Sequence, residues 1–107
     1  MTRMSTHVLD TEVGAPAIGM SVALYRDDDR VAQAVTDSSG RIADLGGALQ
    51  EGAYRLVFEV AAYLEAQGRA VPFLRRVTIE FNLDGRQPHY HVPLLMTAYA
   101  CTSYRGS

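Results

Sequence analysis

The chain has 107 residues, of which 48% are hydrophobic and 21% charged, and its formal net charge is −2. This length supports one domain, predicted to span residues 1–107, and leaves no room for a separate cofactor domain. The weak negative charge offers no basic surface for nucleic acid, and no apolar run approaches the ~20 residues of a membrane span. The N-terminus shows no apolar signal region, so we expect a cytoplasmic location, or a periplasmic one if a signal was removed.

The composition also restricts the chemistry. The single cysteine, Cys101, excludes an intramolecular disulfide, and all ten basic residues are arginine. Without lysine, the chain has neither a Schiff-base amine nor the lysine of a Walker-type phosphate loop. Cys101 has no recognisable histidine partner in the sequence, and we expect a buried structural thiol there. The candidate catalytic groups are therefore histidines, arginines, carboxylates and hydroxyls.

Alternating apolar and polar residues predict strands along most of the chain, with turn residues about every eight to twelve positions. In the first strand, Val8 faces one side, and His7 and Leu9 face the other. The acidic residues 27–29 are predicted to form the tip of a hairpin. The strands predicted after the first one are residues 20–25, 31–36, 54–60, 77–83, 90–96 and 98–104.

One segment has the pattern of a helix. Residues 61–67 are predicted to form about two turns, which Gly68 ends. Pro93 interrupts the apolar run 90–96, which favours an edge or bulged position for that strand. Seven or eight short strands with one short helix predict an all-β sandwich.

Two predicted strands are apolar on both faces, whereas sandwich strands normally have one polar face. In the run 90–96 the even-numbered residues form one apolar face, and the other face carries His91, Pro93 and Leu95. The first strand has the same character around His7 and Leu9. Such surfaces mark an interface or a binding groove, and we expect a subunit interface. The alternative is that the helix or a loop covers them.

Three histidines and one arginine are candidates for chemistry. His89 and His91 are two residues apart on a strand and share a face, while His7 lies on the first strand. These imidazoles fit three alternatives, namely inert interface residues, acid–base catalysis on a water, or a zinc site with an open position. Arg41 follows Gly40 at a turn and is either a solvated charge or a clamp for a carbonyl or carboxylate oxygen.

Several motifs together resemble the 5-hydroxyisourate hydrolase family, which is related to transthyretin. They are Ser-Thr-His-Val-Leu-Asp at 5–10, Thr-Asp-Ser-Ser-Gly-Arg at 36–41, His-Tyr-His-Val-Pro-Leu-Leu at 89–95 and Tyr-Arg-Gly-Ser at 104–107. The terminal motif is the most specific, because transthyretin proper lacks it. The resemblance extends over essentially the whole chain.

The resemblance implies a transthyretin-like sandwich of two four-stranded sheets with one short helix. It also implies a homotetramer, a dimer of dimers, with active sites in a channel at the dimer–dimer interface. His7, Arg41 and His91 fall on the family's catalytic positions. Substrate contacts fall on His7 and Arg41 and, in the terminal motif, on Tyr104 and Ser107. No cofactor and no metal is expected.

The implied reaction is hydrolysis of 5-hydroxyisourate to 2-oxo-4-hydroxy-4-carboxy-5-ureidoimidazoline in urate breakdown. The alternative is a transthyretin-like carrier that binds a small ligand without turnover. The chain departs from the family pattern at residues 96–102, where Met-Thr-Ala-Tyr-Ala-Cys-Thr replaces the usual Leu-Ser-Pro-Tyr-Gly-Tyr-Ser. We expect this departure to affect local packing and not the reaction.

Overall fold

The computed structural model describes residues 1–106, which form two β-sheets packed over one core and one short helix. The elements, in chain order, are β1 (Arg3–Asp10), β2 (Ala15–Pro16), β3 (Ser21–Arg26), β4 (Asp29–Val35), β5 (Arg41–Ile42), β6 (Gly52–Phe58), α1 (Val60–Ala66), β7 (Val77–Leu83), β8 (His89–His91), β9 (Leu94–Met96) and β10 (Cys101–Ser103). Among the described residues, no helix has the length and apolar character needed to cross a membrane.

The first sheet is antiparallel, with its strands in the order β4-β3-β6-β7. Its central strand β6 buries Tyr54, Leu56 and Phe58, while Arg55 and Val57 remain half-buried on the other face. This is the alternation that the sequence predicts, because successive side chains of a strand point to opposite faces.

The second sheet is built around β1. β8 and β9 run parallel to β1 along one side, and β5 and β2 run antiparallel to it along the other. β10 pairs with β9 at the edge. The six segments therefore occupy four strand positions, and the predicted sandwich of two four-stranded sheets is confirmed.

The strand limits differ from the sequence prediction where turns or proline intervene. The predicted strand 90–96 divides into β8 and β9 at Pro93, as expected for a residue without a backbone N–H. The predicted strand 54–60 ends at Phe58, because Val60 already begins α1. The predicted strand 98–104 shortens to β10, because Thr97 and Ala100 close a tight turn before it.

Cys101 corrects one prediction. It is exposed, not buried. The register places it opposite Met96, but β10 is the edge strand of its sheet and no further strand covers it. The thiol therefore contributes nothing to the core of the single chain.

Candidate active site

The outward face of β1 organises the site. Ser5, His7 and Leu9 face outward, and the even-numbered residues between them are buried in the core. β8 pairs Ser5 with His91, and β5 pairs His7 with Arg41. Because directly paired residues of neighbouring strands share a face, the three predicted catalytic residues meet on one side of the sheet.

An open cavity of about 420 Å³ lies at this place. Three polar side chains that line it are Arg41, His89 and His91, and the other lining residues are Ser5, Thr6, Ile42 and Ala43. His7 lies beside the cavity, because it is paired with Arg41 on the same face. The predicted pair His89 and His91 does share this side, as the period-two argument requires.

The loop before β5 is held in one conformation. The carboxylate of Asp37 accepts hydrogen bonds from the backbone N–H groups of Ser39 (2.8 Å) and Arg41 (3.0 Å). These two donors hold the pKa of Asp37 below its ordinary value. Gly40 has a φ of +75°, and a Cβ atom there would lie 2.5 Å from the carbonyl oxygen of Val8. Only glycine therefore fits at this position. Its close approach to β1 fixes the place at which the next residue, Arg41, begins β5.

The same loop orients His7. Its ring nitrogen Nε2 lies 2.9 Å from the carbonyl oxygen of Ser39. Because a carbonyl oxygen only accepts hydrogen bonds, Nε2 must carry a proton, and in this tautomer of the imidazole the lone pair is on Nδ1. His7 therefore has one nitrogen committed to the protein and one available to a ligand.

The hydroxyl of Ser5 contacts both histidines of β8. Its Oγ lies 2.8 Å from Nδ1 of His91 and 2.9 Å from Nε2 of His89. Burial lowers the pKa of His91, and the neighbouring His7, His89 and Arg41 lower it further. His91 is therefore held neutral at neutral pH, the state in which it can accept a proton.

Arg41 is the cation of the site. Within residues 1–106, four arginines form ion pairs with carboxylates, and Arg41 is not one of them. It is exposed at the rim of the cavity. A planar guanidinium without a carboxylate partner is suited to hold a carbonyl oxygen or a developing negative charge.

The C-terminal segment reaches back to His91. The N–H of Gly106 donates to the carbonyl oxygen of His91 at 2.6 Å. The guanidinium of Arg105 lies 4.3 Å from the ring centroid of Tyr90, which precedes His91 on β8. Tyr104 is exposed and lines a neighbouring apolar cavity of about 240 Å³, not the one beside His91. Ser107 lies outside the described residues.

The zinc alternative depends on ligand geometry. Residues 1–106 contain no group of three or more histidine, cysteine or carboxylate side chains arranged to hold a metal ion. The arrangement that is present pairs each ring with a backbone carbonyl or a hydroxyl. These contacts fix the orientation of the three rings.

The departure at residues 96–102 is accommodated locally. Ala98 is buried, and its N–H donates to a carboxylate oxygen of Glu12 at 3.0 Å. The usual proline could not make this bond, because it has no N–H. The hydroxyl of Thr97 accepts from two backbone N–H groups of the turn.

The sequence alone did not identify Ser5 or the contact of Gly106 with His91. Ser5 was present in the first motif, and its spacing of two from His7 places both on one face. That spacing predicts the face of β1 on which Ser5 lies, but not the histidines that its hydroxyl contacts, because they lie on a strand more than eighty residues away in the sequence. The carbonyl oxygen of Ser39 leaves no side-chain signal in the sequence.

Known proteins share the sequence pattern and the fold of this chain. The model of the HIUase/Transthyretin family matches residues 4–106. A 5-hydroxyisourate hydrolase of Deinococcus radiodurans is 46% identical over 97% of this chain and 95% of its own. The solved 5-hydroxyisourate hydrolase of Klebsiella pneumoniae is 38% identical, with a TM-score of 0.92 and complete coverage of both chains. Sea bream transthyretin in complex with thyroxine has a TM-score of 0.87 and is 26% identical, with coverage of 96% of this chain and 93% of that one.

Proposed function

We infer the function from one premise, that this chain belongs to the HIUase/Transthyretin family. It is a hydrolase, and the reaction proposed is the opening of 5-hydroxyisourate to 2-oxo-4-hydroxy-4-carboxy-5-ureidoimidazoline. The observation that carries this proposal is the shared face of His7, Arg41 and His91 beside an open cavity. A carrier of apolar ligands has no use for two imidazoles and a guanidinium at that place, because burying them against an apolar ligand costs free energy.

The histidines hold and activate the attacking water. Nδ1 of His7 and Nε2 of His91 are the ring nitrogens that the contacts to Ser39 and Ser5 leave available. A neutral imidazole takes one proton from the water as its oxygen bonds to the amide carbon of the ring. The carbon–nitrogen bond then breaks, and the leaving nitrogen receives the second proton of the water, so that the new acid group is left as a carboxylate.

Arg41 stabilises the charge that develops on the carbonyl oxygen during this attack. Its guanidinium is exposed at the rim of the cavity and has no carboxylate partner among residues 1–106. Removal of one such donor from an active site typically costs about 10²–10³-fold in kcat. Substrate contacts by Tyr104 and Ser107 are proposed from the terminal motif alone, because Tyr104 lines the neighbouring cavity and not the one beside His91.

We propose that the protein acts as a homotetramer, a dimer of dimers with the sites in a channel between dimers. Leu9 and Leu95 lie half-buried on the outward face beside the catalytic groups, and Val13 and Ile18 are exposed nearby along the chain. This apolar surface suits burial against a second copy. The cytoplasmic location expected from the sequence stays a prediction, which cell fractionation tests.

The experiment is a spectrophotometric assay on freshly generated 5-hydroxyisourate, with the spontaneous decay measured in parallel. The unmodified protein should accelerate the decay, and Arg41→Gln should lose about 10²-fold or more in kcat. Arg30→Gln is the matched control, because Arg30 is exposed on β4 in the other sheet. A folded protein without turnover that binds a small aromatic ligand would favour the carrier alternative.

A further inference from the structure

The hydroxyl of Ser5 lies between two imidazole nitrogens. It is 2.8 Å from Nδ1 of His91 and 2.9 Å from Nε2 of His89. A hydroxyl has one hydrogen to donate and lone pairs with which to accept. It can donate to one ring while it accepts from the other, and in that arrangement the proton positions of the two rings are coupled through it.

The two rings differ in their exposure to solvent. His91 is half-buried at the cavity, whereas His89 is exposed at the start of β8. The groups that face His91 are His7 and Arg41 from β1 and β5, and His89 from its own strand. None of these is a carboxylate, so nothing among them would retain a proton on His91, and a proton that His91 takes up is favoured to leave it.

We propose that Ser5 is a positioning residue that relays a proton from His91 to His89, and this proposal rests on the proposed hydrolase function. His91 accepts the proton of the attacking water at Nε2. It then gives its Nδ1 proton to Oγ of Ser5 as Ser5 gives its own proton to Nε2 of His89. Ser5 again carries one proton, His91 is neutral with its proton now on Nε2, and His89 releases the proton to solvent. Loss of the Nε2 proton to solvent and return of a proton to Nδ1 through the same bridge restore the starting form before the next turnover.

The position of Ser5 argues against a purely structural role for the hydroxyl. The pairing of β1 with β8 is made by backbone groups in the register Ser5 to His91. The core side of β1 is filled by other residues, such as Met4 and Thr6. Loss of the hydroxyl therefore removes no core contact, and Ser5→Ala should fold normally.

The kinetic test compares single and double variants. Ser5→Ala and His89→Asn should each lower kcat about three- to tenfold, the range that the net worth of one hydrogen bond gives, with KM within about twofold. The double variant should be no slower than the slower single variant, because both remove the same relay. Ser5→Thr should recover most of the loss. Ser21→Ala, which removes a hydroxyl that accepts from Gln33 on the other sheet, is the control and should leave kcat unchanged.

A second measurement needs no substrate. The ring ¹⁵N chemical shifts of His91 report which nitrogen carries the proton. Ser5→Ala and His89→Asn should both change the shift of Nδ1 of His91, and Ser21→Ala should not. Because His89 is exposed, His89→Asn tests the bridge even if Ser5→Ala fails to fold.

The outcomes separate the two proposals. If the unmodified protein does not hydrolyse 5-hydroxyisourate, the proposed function fails, and the ¹⁵N shifts still decide whether the bridge exists. Independent losses that multiply in the double variant would overturn the relay. So would a His91 shift that is insensitive to both variants, or a kcat that neither variant changes.

Discussion

Replacement of Gly106 by alanine should misplace His91. A Cβ atom at residue 106 would lie 2.7 Å from Cδ2 of the His91 ring, and its next two contacts, at 3.2 and 3.3 Å, are also with His91. Because non-bonded carbon atoms prefer about 3.5–4.0 Å, the ring or the tail must move by about 1 Å. The hydrogen bond from the N–H of Gly106 to the carbonyl oxygen of His91 restrains the tail, so the ring takes up part of the shift. A displacement of about 1 Å in a catalytic group can cost about 10²-fold, so this partial shift of the ring should lower kcat by up to about 10²-fold.

The assay measures kcat on freshly generated 5-hydroxyisourate for Gly106→Ala and for Gly85→Ala. Gly85 is the matched control, because an added Cβ there lies 3.3 Å from Cβ of Glu51 and requires an adjustment of only a few tenths of an ångström, with no contact to His91. Unfolding temperature and mass should match the unmodified protein for both variants. A Gly106→Ala protein with kcat within twofold of the unmodified protein would refute the idea that the tail sets the position of the His91 ring.

Three further outcomes follow from the site. His91→Asn should cost about 10²-fold or more in kcat, whereas His89→Asn should cost much less, and equal losses would contradict the assignment of roles. Exhaustive chelation should leave activity unchanged, and activity that is lost to a chelator and restored by zinc would place the zinc alternative first. Sedimentation at micromolar concentration should give about four times the chain mass of 11.7 kDa, and an active monomer would exclude a site that needs the interface.

The fold could be predicted from the sequence because its strongest signal is local. The alternation of residues 77–83 gives β7 with the limits that the structure has, and Pro93 marks the break between β8 and β9. The predicted boundary failed where a helix replaced the end of an apolar run, as at Val60, which is buried in α1 as it would be in a strand. Burial alone does not distinguish these two structures.

The candidate site could be predicted only in part. The motifs indicate which histidines and which arginine to consider, and the register then brings His7 and Arg41 together. What orients these groups could not be predicted, because the carbonyl of Ser39 and the N–H of Gly106 are backbone atoms that every residue carries. The exposure of Cys101 was also missed, since an edge strand has the same residue types as an inner one.

The buried ion pair at the end of β1 should make stability depend on pH. Asp10 is fully buried and accepts hydrogen bonds from Arg69 (2.6 Å) and Tyr63 (2.8 Å). Burial by itself would raise the pKa of Asp10, but these hydrogen bonds and the charge of Arg69 outweigh it, so the pKa lies below its ordinary value. The pKa of Asp10 is therefore lower in the folded protein than in the unfolded chain. Its contribution to the free energy of unfolding is complete above the unfolded pKa of about 3.9 and is lost as the pH falls through the folded pKa.

Asp10→Asn should therefore lower the free energy of unfolding at pH 7 by about 3 kcal/mol, the lower end of the range for a broken buried pair, because Arg69 still reaches solvent. Asp84→Asn is the control. Arg86 lowers the pKa of Asp84 to about 2, but water screens this surface pair, and its loss should change stability little. Denaturant unfolding at fixed protein concentration, at pH 7 and below pH 4, measures both variants. Asp10→Asn has no ionised carboxylate to lose in acid. The difference in free energy of unfolding between this variant and the unmodified protein should therefore be smaller below about pH 4 than at pH 7. A gap that stays constant with pH would show that Asp10 contributes through shape and not through its charge.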